Sequence, residues 1–119
     1  MTDQSKAATN VSRRQRRYSR YGFDARIHVS VFRDGVTTTC WGRSNELGED
    51  GIGATLSSEL QAGEVVSLEF PVPVPPHVMK VRAAVRYAEG LRCGFEFLVL
   101  TGEQRLMLRQ LCVMLANAS

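Results

Sequence analysis

Apolar and polar residues alternate along six short segments in the middle of the chain, and this two-residue period is typical of β-strands with one buried face. Turn signals separate the segments: Asp34-Gly35 and Gln61-Ala62-Gly63 favour tight turns, and the prolines at 71–76 end a strand because proline cannot donate to a ladder. Six short strands joined by turns predict an antiparallel β-barrel or sandwich. The predicted strands cover residues 25–32, 36–41, 52–56, 65–70, 78–87 and 93–98.

The period changes to that of an α-helix near the C-terminus. Thr101 and Gln104 have the spacing of a capping box, so the helix is predicted to begin there and to run close to the end of the chain. One apolar stripe follows at helical spacing and consists of Leu108, Leu111, Cys112 and Leu115. Met107, Val113 and Met114 are expected to widen it. The stripe suits packing on the barrel, and contact with a second copy in a homodimer stays open.

Charge is distributed unevenly along the chain. Residues 1–20 contain six basic residues and one acid, a net +5, which leaves the rest of the chain at −2 because the total is +3. Residues 1–12 show no apolar period and are expected to form a flexible tail, and the arginine-rich residues 13–20 are expected to form a flexible basic arm. A basic arm on a slightly acidic body indicates an anionic partner that binds the arm.

The sequence lacks the residue patterns that metal-binding proteins and several classes of enzyme require. Cys40, Cys93 and Cys112 are widely spaced in apolar contexts, and His28 and His77 have no second ligand at metal-binding spacing, so we expect buried thiols and no metal. Neither a catalytic triad nor a phosphate-binding loop is present, so the sequence predicts no catalytic residues, no cofactor and no enzyme. The lack of a signal peptide or an apolar span predicts a cytoplasmic location away from the membrane.

Several motifs occur in an order that resembles the PilZ domain family over about residues 13–115. Arg16 to Arg20 form an RxxxR motif with a doubled first arginine at Arg17, although Arg13 to Arg17 has the same spacing. A glycine turn follows where the family has DxSxxG, with Glu46 in place of Asp or Asn, Gly48 in place of Ser, and Gly51 matching the glycine. The segments Gly94-Phe95-Glu96-Phe97 and Thr101-Gly102-Glu103-Gln104 resemble the last strand and the helix entry of the family.

The resemblance implies a six-stranded PilZ-type barrel with a C-terminal helix and a cyclic di-GMP ligand. Its boundaries would be an arm at 13–20, a barrel at 24–99 and a helix at 102–117, within a domain covering 13–119. Arginine can bind a phosphate and the guanine O6/N7 edge through two parallel hydrogen bonds, and a carboxylate can accept from guanine N1–H and N2–H. By resemblance, the ligand-binding residues would be Arg16, Arg17, Arg20, Glu46, Gly48 and Gly51.

Three functions therefore remain for comparison with the structure. The first is a cyclic di-GMP receptor whose arm changes conformation and is then recognised by an unidentified protein partner. The second is a degenerate PilZ domain that acts as a protein adaptor without nucleotide, which the changes at Glu46 and Gly48 favour. The third is a nucleic-acid-binding barrel, against which the acidic body and the lack of repeated exposed aromatics argue.

Overall fold

The computed structural model describes residues 18–118, and these residues form seven β-strands followed by one α-helix. The elements are β1 (Tyr21–Gly22), β2 (Arg26–Arg33), β3 (Val36–Leu47), β4 (Gly51–Leu56), β5 (Val65–Pro71), β6 (Val78–Glu89), β7 (Arg92–Leu98) and α1 (Gly102–Ala118). In the part described, no helix has the length and apolar character needed to cross a membrane.

Six of the strands close into an antiparallel barrel. The order β3-β2-β5-β6-β7-β4 returns to β3 through a β3–β4 pairing, so each of these strands has two neighbours. The two-residue strand β1 is added to the outside of this ring on β3. The predicted fold of six antiparallel strands and a C-terminal helix is therefore confirmed.

Alternation along the strands places one set of side chains in the barrel core. On β2, Ile27, Val29 and Val31 are buried, and the residues between them face outward. The β2–β3 turn at Asp34 and Gly35 has positive φ at both residues, the conformation that a two-residue hairpin requires. The alternation therefore identified the strand from the sequence, and the Asp-Gly pair identified its turn.

The helix α1 begins with the expected capping box. The Gln104 amide donates to Thr101 Oγ1 and the Thr101 amide donates to Gln104 Oε1, each at 3.0 Å. Leu108, Leu111 and Cys112 are buried against the barrel and Leu115 packs at its edge, which confirms the stripe as part of the core. Val113 and Met114 are exposed instead, because they lie to one side of that stripe.

Two features of the sheet were not predicted from sequence. The strand β3 continues to Leu47 rather than stopping at Trp41, and β1 forms between the expected arm and the expected barrel, where no strand was predicted. The polar run 42–47 hides the longer strand, since its inward residues include Gly42 and Ser44 rather than large apolar side chains. A bulge between Ser44 and Glu46 also interrupts the pairing with β4.

Candidate functional site

The extension of β3 brings the arm and the glycine turn together. Tyr21 pairs with Leu47 and Gly22 pairs with Glu46 in the antiparallel β1–β3 register. Since Arg20 immediately precedes β1, this pairing places it beside Gly48, the first residue after β3. Two segments that are far apart in sequence thus meet at one end of the barrel.

Ser44 fixes the chain that leads from the arm into β2. Its side chain is 2% exposed, accepts a hydrogen bond from the Ala25 amide at 2.9 Å, and donates one to the Phe23 carbonyl. The Ser44 amide also donates to the Ala25 carbonyl at 2.8 Å. Because the chain after β1 is held at both Phe23 and Ala25, the end of β1 is fixed against β3.

The guanidinium group of Arg20 lies between two carboxylates. Its Nη1 is 3.4 Å from Glu46 Oε2, and its Nη2 is 3.4 Å from Asp50 Oδ1. The Arg20 side chain is 15% exposed, so the group is largely removed from water. Burial of this kind requires charge compensation, which the two acids supply.

The glycines of the turn make room for Arg20. A β-carbon at Gly48 would lie 2.7 Å from Arg20 Cδ and 2.8 Å from the Ser19 carbonyl oxygen. A β-carbon at Gly51 would lie 2.2 Å from the Phe95 carbonyl oxygen on β7 and 3.3 Å from Arg20 Nη2. Glycine at both positions is therefore explained by close packing of the arm and of β7 on the turn.

Comparison with protein families agrees with this arrangement. A family model described as PilZ domain matches residues 14–113. The chain belongs to the PilZ domain family. A search among curated proteins finds no match.

Solved structures of PilZ domains share the fold. The PilZ domain of YcgR from Escherichia coli, solved with c-di-GMP, has a TM-score of 0.70 at 19% identity over 87% of this chain and 93% of that one. The inhibitor of motility MotI/DgrA from Bacillus subtilis has a TM-score of 0.68 at 19% identity over 88% of this chain and 52% of that one. The PilZ domain of CeSA from a cellulose-synthesizing bacterium has a TM-score of 0.62 at 15% identity, covering 81% and 97%.

Four of the six residues expected to bind ligand are close together in this PilZ domain. Arg20 contacts Glu46 directly and packs against Gly48 and Gly51. The other two, Arg16 and Arg17, lie outside the described residues, as do Arg13 and Arg14. Flexibility was predicted for residues 13–20, of which residues 13–17 lie outside the described part and Arg20 makes the contacts given above.

Asp50 is a site residue that the sequence reasoning missed. The residue lies between the motif positions, where the family pattern allows any side chain, so the pattern itself gave no signal. An acid next to a glycine in a turn that faces a basic arm was the available clue. In the structure its carboxylate approaches Arg20, and its backbone carbonyl accepts from the Phe97 amide at 2.9 Å.

The helix of this PilZ domain also contacts the turn. Arg109 Nε on α1 lies 3.8 Å from Glu49 Oε1. The Cys112 thiol is buried beneath this region, and burial together with the charges of Glu49 and Asp50 raises its pKa to about 11. A change in the conformation of the turn would therefore alter both the packing and the electrostatic environment of α1.

Proposed function

We propose that this PilZ domain is a cyclic di-GMP receptor whose binding site combines the arginine arm with the turn that follows β3. The observation that supports it is the contact between Arg20 and Glu46, which are 26 positions apart and belong to the two motifs of the family. The fold of the YcgR PilZ domain, which was solved with c-di-GMP, supports the same ligand class.

The proposed roles follow from donor and acceptor chemistry. Arg16, Arg17 and Arg20 would donate to phosphate oxygens and to the guanine O6/N7 edge, and the Glu46 carboxylate would accept from guanine N1–H and N2–H. Gly48 and Gly51 would allow the ligand to approach the backbone closely. The function needs no catalytic residue and no cofactor, since the protein binds the nucleotide unchanged.

Charge in the turn makes the arm necessary for binding. Glu46 and Asp50 flank Arg20, and Glu49 belongs to the same turn, so the turn by itself would repel a ligand with two phosphates. The arginines at 13–17 would supply the missing positive charge. Ligand binding would then alter the arm and the turn next to α1, and a partner protein would recognise the altered surface.

One observation favours a second function, that of an adaptor without nucleotide. The ion pairs of Arg20 with Glu46 and Asp50 compensate its charge within the protein, and Gly48 offers no side-chain hydroxyl. A protein partner that reads this closed arrangement would need no ligand.

Calorimetric titration with cyclic di-GMP tests the proposal, with cyclic di-AMP, GTP and a single-stranded oligonucleotide as comparisons. We expect cyclic di-GMP to bind more tightly than cyclic di-AMP, because the arginines read a guanine edge that adenine lacks. It should also bind more tightly than the oligonucleotide and than GTP, which presents one guanine rather than two. Arg20→Ala should weaken binding by roughly 2 kcal/mol, about thirtyfold, if the guanidinium makes a desolvated ligand contact.

The matched control is Arg43→Ala, which removes an exposed arginine paired with Asp24 on the outside of β3 and should leave the affinity unchanged. Equal affinity for cyclic di-AMP would contradict guanine recognition. No heat of binding with cyclic di-GMP would favour the adaptor, and preference for the oligonucleotide would favour nucleic-acid binding.

A further inference from the structure

The guanidinium group of Arg20 makes two contacts within the protein. Both terminal nitrogens of its guanidinium group point to carboxylates, with distances of 3.4 Å to Glu46 and 3.4 Å to Asp50. Such distances exceed the 2.7–2.9 Å of a strong charge-assisted hydrogen bond. The two pairs are therefore loose, and they are the kind of contact that a stronger acceptor can replace.

The turn is shaped around this position of Arg20. We call the surroundings formed by Glu46, Gly48, Asp50 and Gly51 the Arg20 pocket. A β-carbon at Gly48 would lie 2.7 Å from Arg20 Cδ and 2.8 Å from its Nε, so any larger residue there would displace the side chain. The Nε atom is buried without a hydrogen-bond partner in the described part of the chain, which marks the pocket as an incompletely satisfied resting place.

A phosphate that binds through both terminal nitrogens of Arg20 competes with these two pairs. With one cation between two carboxylates, the Arg20 pocket has a net charge of −1, which opposes an approaching phosphate. The nitrogen atoms that would donate to phosphate oxygens are the same ones that face Glu46 and Asp50. A phosphate that binds in this way would replace the carboxylates as the acceptor for Arg20.

We propose that Asp50 is a positioning residue that, together with Glu46, holds Arg20 in this pocket and thereby lowers the affinity of the site for cyclic di-GMP. The inference rests on the proposed function and adds to it a competition inside the protein. Asp50 suits the role because the bond between its carbonyl and the Phe97 amide fixes the backbone of the turn to β7. When the ligand binds, Arg20 would turn toward the phosphate and lose its contact with Asp50.

A substitution at Asp50 tests the positioning of Arg20 without removing a proposed ligand contact, which a substitution at Glu46 would do. Glu46 is proposed to accept from guanine, so a change there would affect both the ligand and Arg20. Asp50 has no proposed ligand contact, and asparagine keeps its size while removing its charge. The sign of the effect is therefore informative: a positioning role predicts tighter binding after the change, and a direct ligand role predicts weaker binding.

The experiment measures cyclic di-GMP affinity of the full chain by calorimetry, for the parent and for Asp50→Asn. We expect Asp50→Asn to bind roughly three- to fivefold more tightly, the range that follows from removing a partly exposed ion pair. The matched control is Glu64→Gln, which breaks a closer ion pair with Arg33 away from the Arg20 pocket and should leave the affinity unchanged. Melting temperatures of all three proteins confirm that they are folded.

A second measurement needs no ligand. The Arg20 Nε–Hε resonance in a proton–nitrogen NMR spectrum, assigned by its loss in Arg20→Ala, should shift in Asp50→Asn and stay in place in Glu64→Gln. If the resonance does not shift, or if Asp50→Asn binds equally or more weakly, the positioning role is wrong. If the parent and Asp50→Asn both fail to bind cyclic di-GMP, the proposed function fails, and the resonance still decides whether Asp50 holds Arg20.

Discussion

Ser44 shows how one small polar side chain sets the position of the segment that follows the arginine arm. It is fully enclosed between the barrel and the chain that follows β1, and its hydroxyl bonds to residues on both sides of Asp24. The glycine at position 48 has a comparable effect by contributing no side chain at all, since it leaves the space that Arg20 fills. A serine introduced there to restore the family motif would have to displace Arg20 and the Ser19 carbonyl.

Replacement of Ser44 by alanine should lower the free energy of unfolding by about 1–3 kcal/mol. The Ala25 amide and the Phe23 carbonyl would each lose a buried partner, and unsatisfied buried groups carry that penalty. Chemical denaturation followed by fluorescence measures the change. Ser67→Ala is the control, because Ser67 is exposed on β5, and its effect should be below about 0.5 kcal/mol. Equal losses in the two variants would contradict the role of the Ser44 bonds.

At the scale of elements, β1 and β3 decide where the candidate ligand-binding residues lie. Their two-residue pairing brings Arg20 to the turn, and α1 approaches the same turn where Arg109 lies 3.8 Å from Glu49. An ion pair performs a similar linking task at the far end of β2. There Arg33 donates to both carboxylate oxygens of Glu64, at 2.6 and 2.7 Å, and so ties the β2–β3 hairpin to the chain before β5.

This ion pair gives the stability of the hairpin a defined pH dependence. The hydrogen bond from Arg33 lowers the pKa of Glu64 below its ordinary value of 4.5. A lowered pKa in the folded state adds stability that is present above pH 4.5 and is lost as the pH falls through the lowered value. Glu64→Gln should therefore reduce the free energy of unfolding at pH 7, and the reduction should be smaller near pH 3.

Denaturation curves of the parent and Glu64→Gln at both pH values measure this difference. Glu59→Gln is the control, since Glu59 is exposed and forms no ion pair within the described residues. A loss that is the same at pH 7 and pH 3 would show that Glu64 contributes by packing rather than by charge.

At the scale of the whole molecule, the barrel and α1 enclose a single core that contains all three cysteines. Cys40, Cys93 and Cys112 are 6%, 0% and 5% exposed, and burial raises the pKa of each thiol. Both low exposure and a raised pKa suppress the thiolate that reacts. Native protein at pH 8 should therefore react with a thiol reagent only through opening of the fold, whereas denatured protein should react at three sites.

Cys112 also adds a pH dependence at the alkaline end. Its pKa rises from 9.0 to about 11 on folding, so its contribution to stability is fully present below pH 9 and is lost as the pH rises through 11. The difference in free energy of unfolding between the parent and Cys112→Ala should shrink over that interval. Rapid labelling of one thiol in native protein, or a constant difference across the interval, would contradict the burial described for Cys112.

The sequence by itself determined the architecture and most of the candidate ligand-binding residues. A period of two identified the strands, the Thr101 and Gln104 spacing identified the start of the helix, and the order of motifs identified the PilZ family, because each of these signals is local. The sequence also singled out Arg20, Glu46, Gly48 and Gly51, which the structure places side by side. Their roles as ligand-binding residues stay predictions.

Only the tertiary structure decided what these residues do to one another. The pairing of β1 with the end of β3 leaves little signal in the sequence. Two residues are too few to show an alternating pattern, and the inward side chains near the end of β3 are small. For the same reason, no pattern could reveal that Gly48 accommodates Arg20 or that Asp50 approaches it. Contacts between segments 26 or more positions apart depend on how the barrel closes, and that closure is a property of all six strands together.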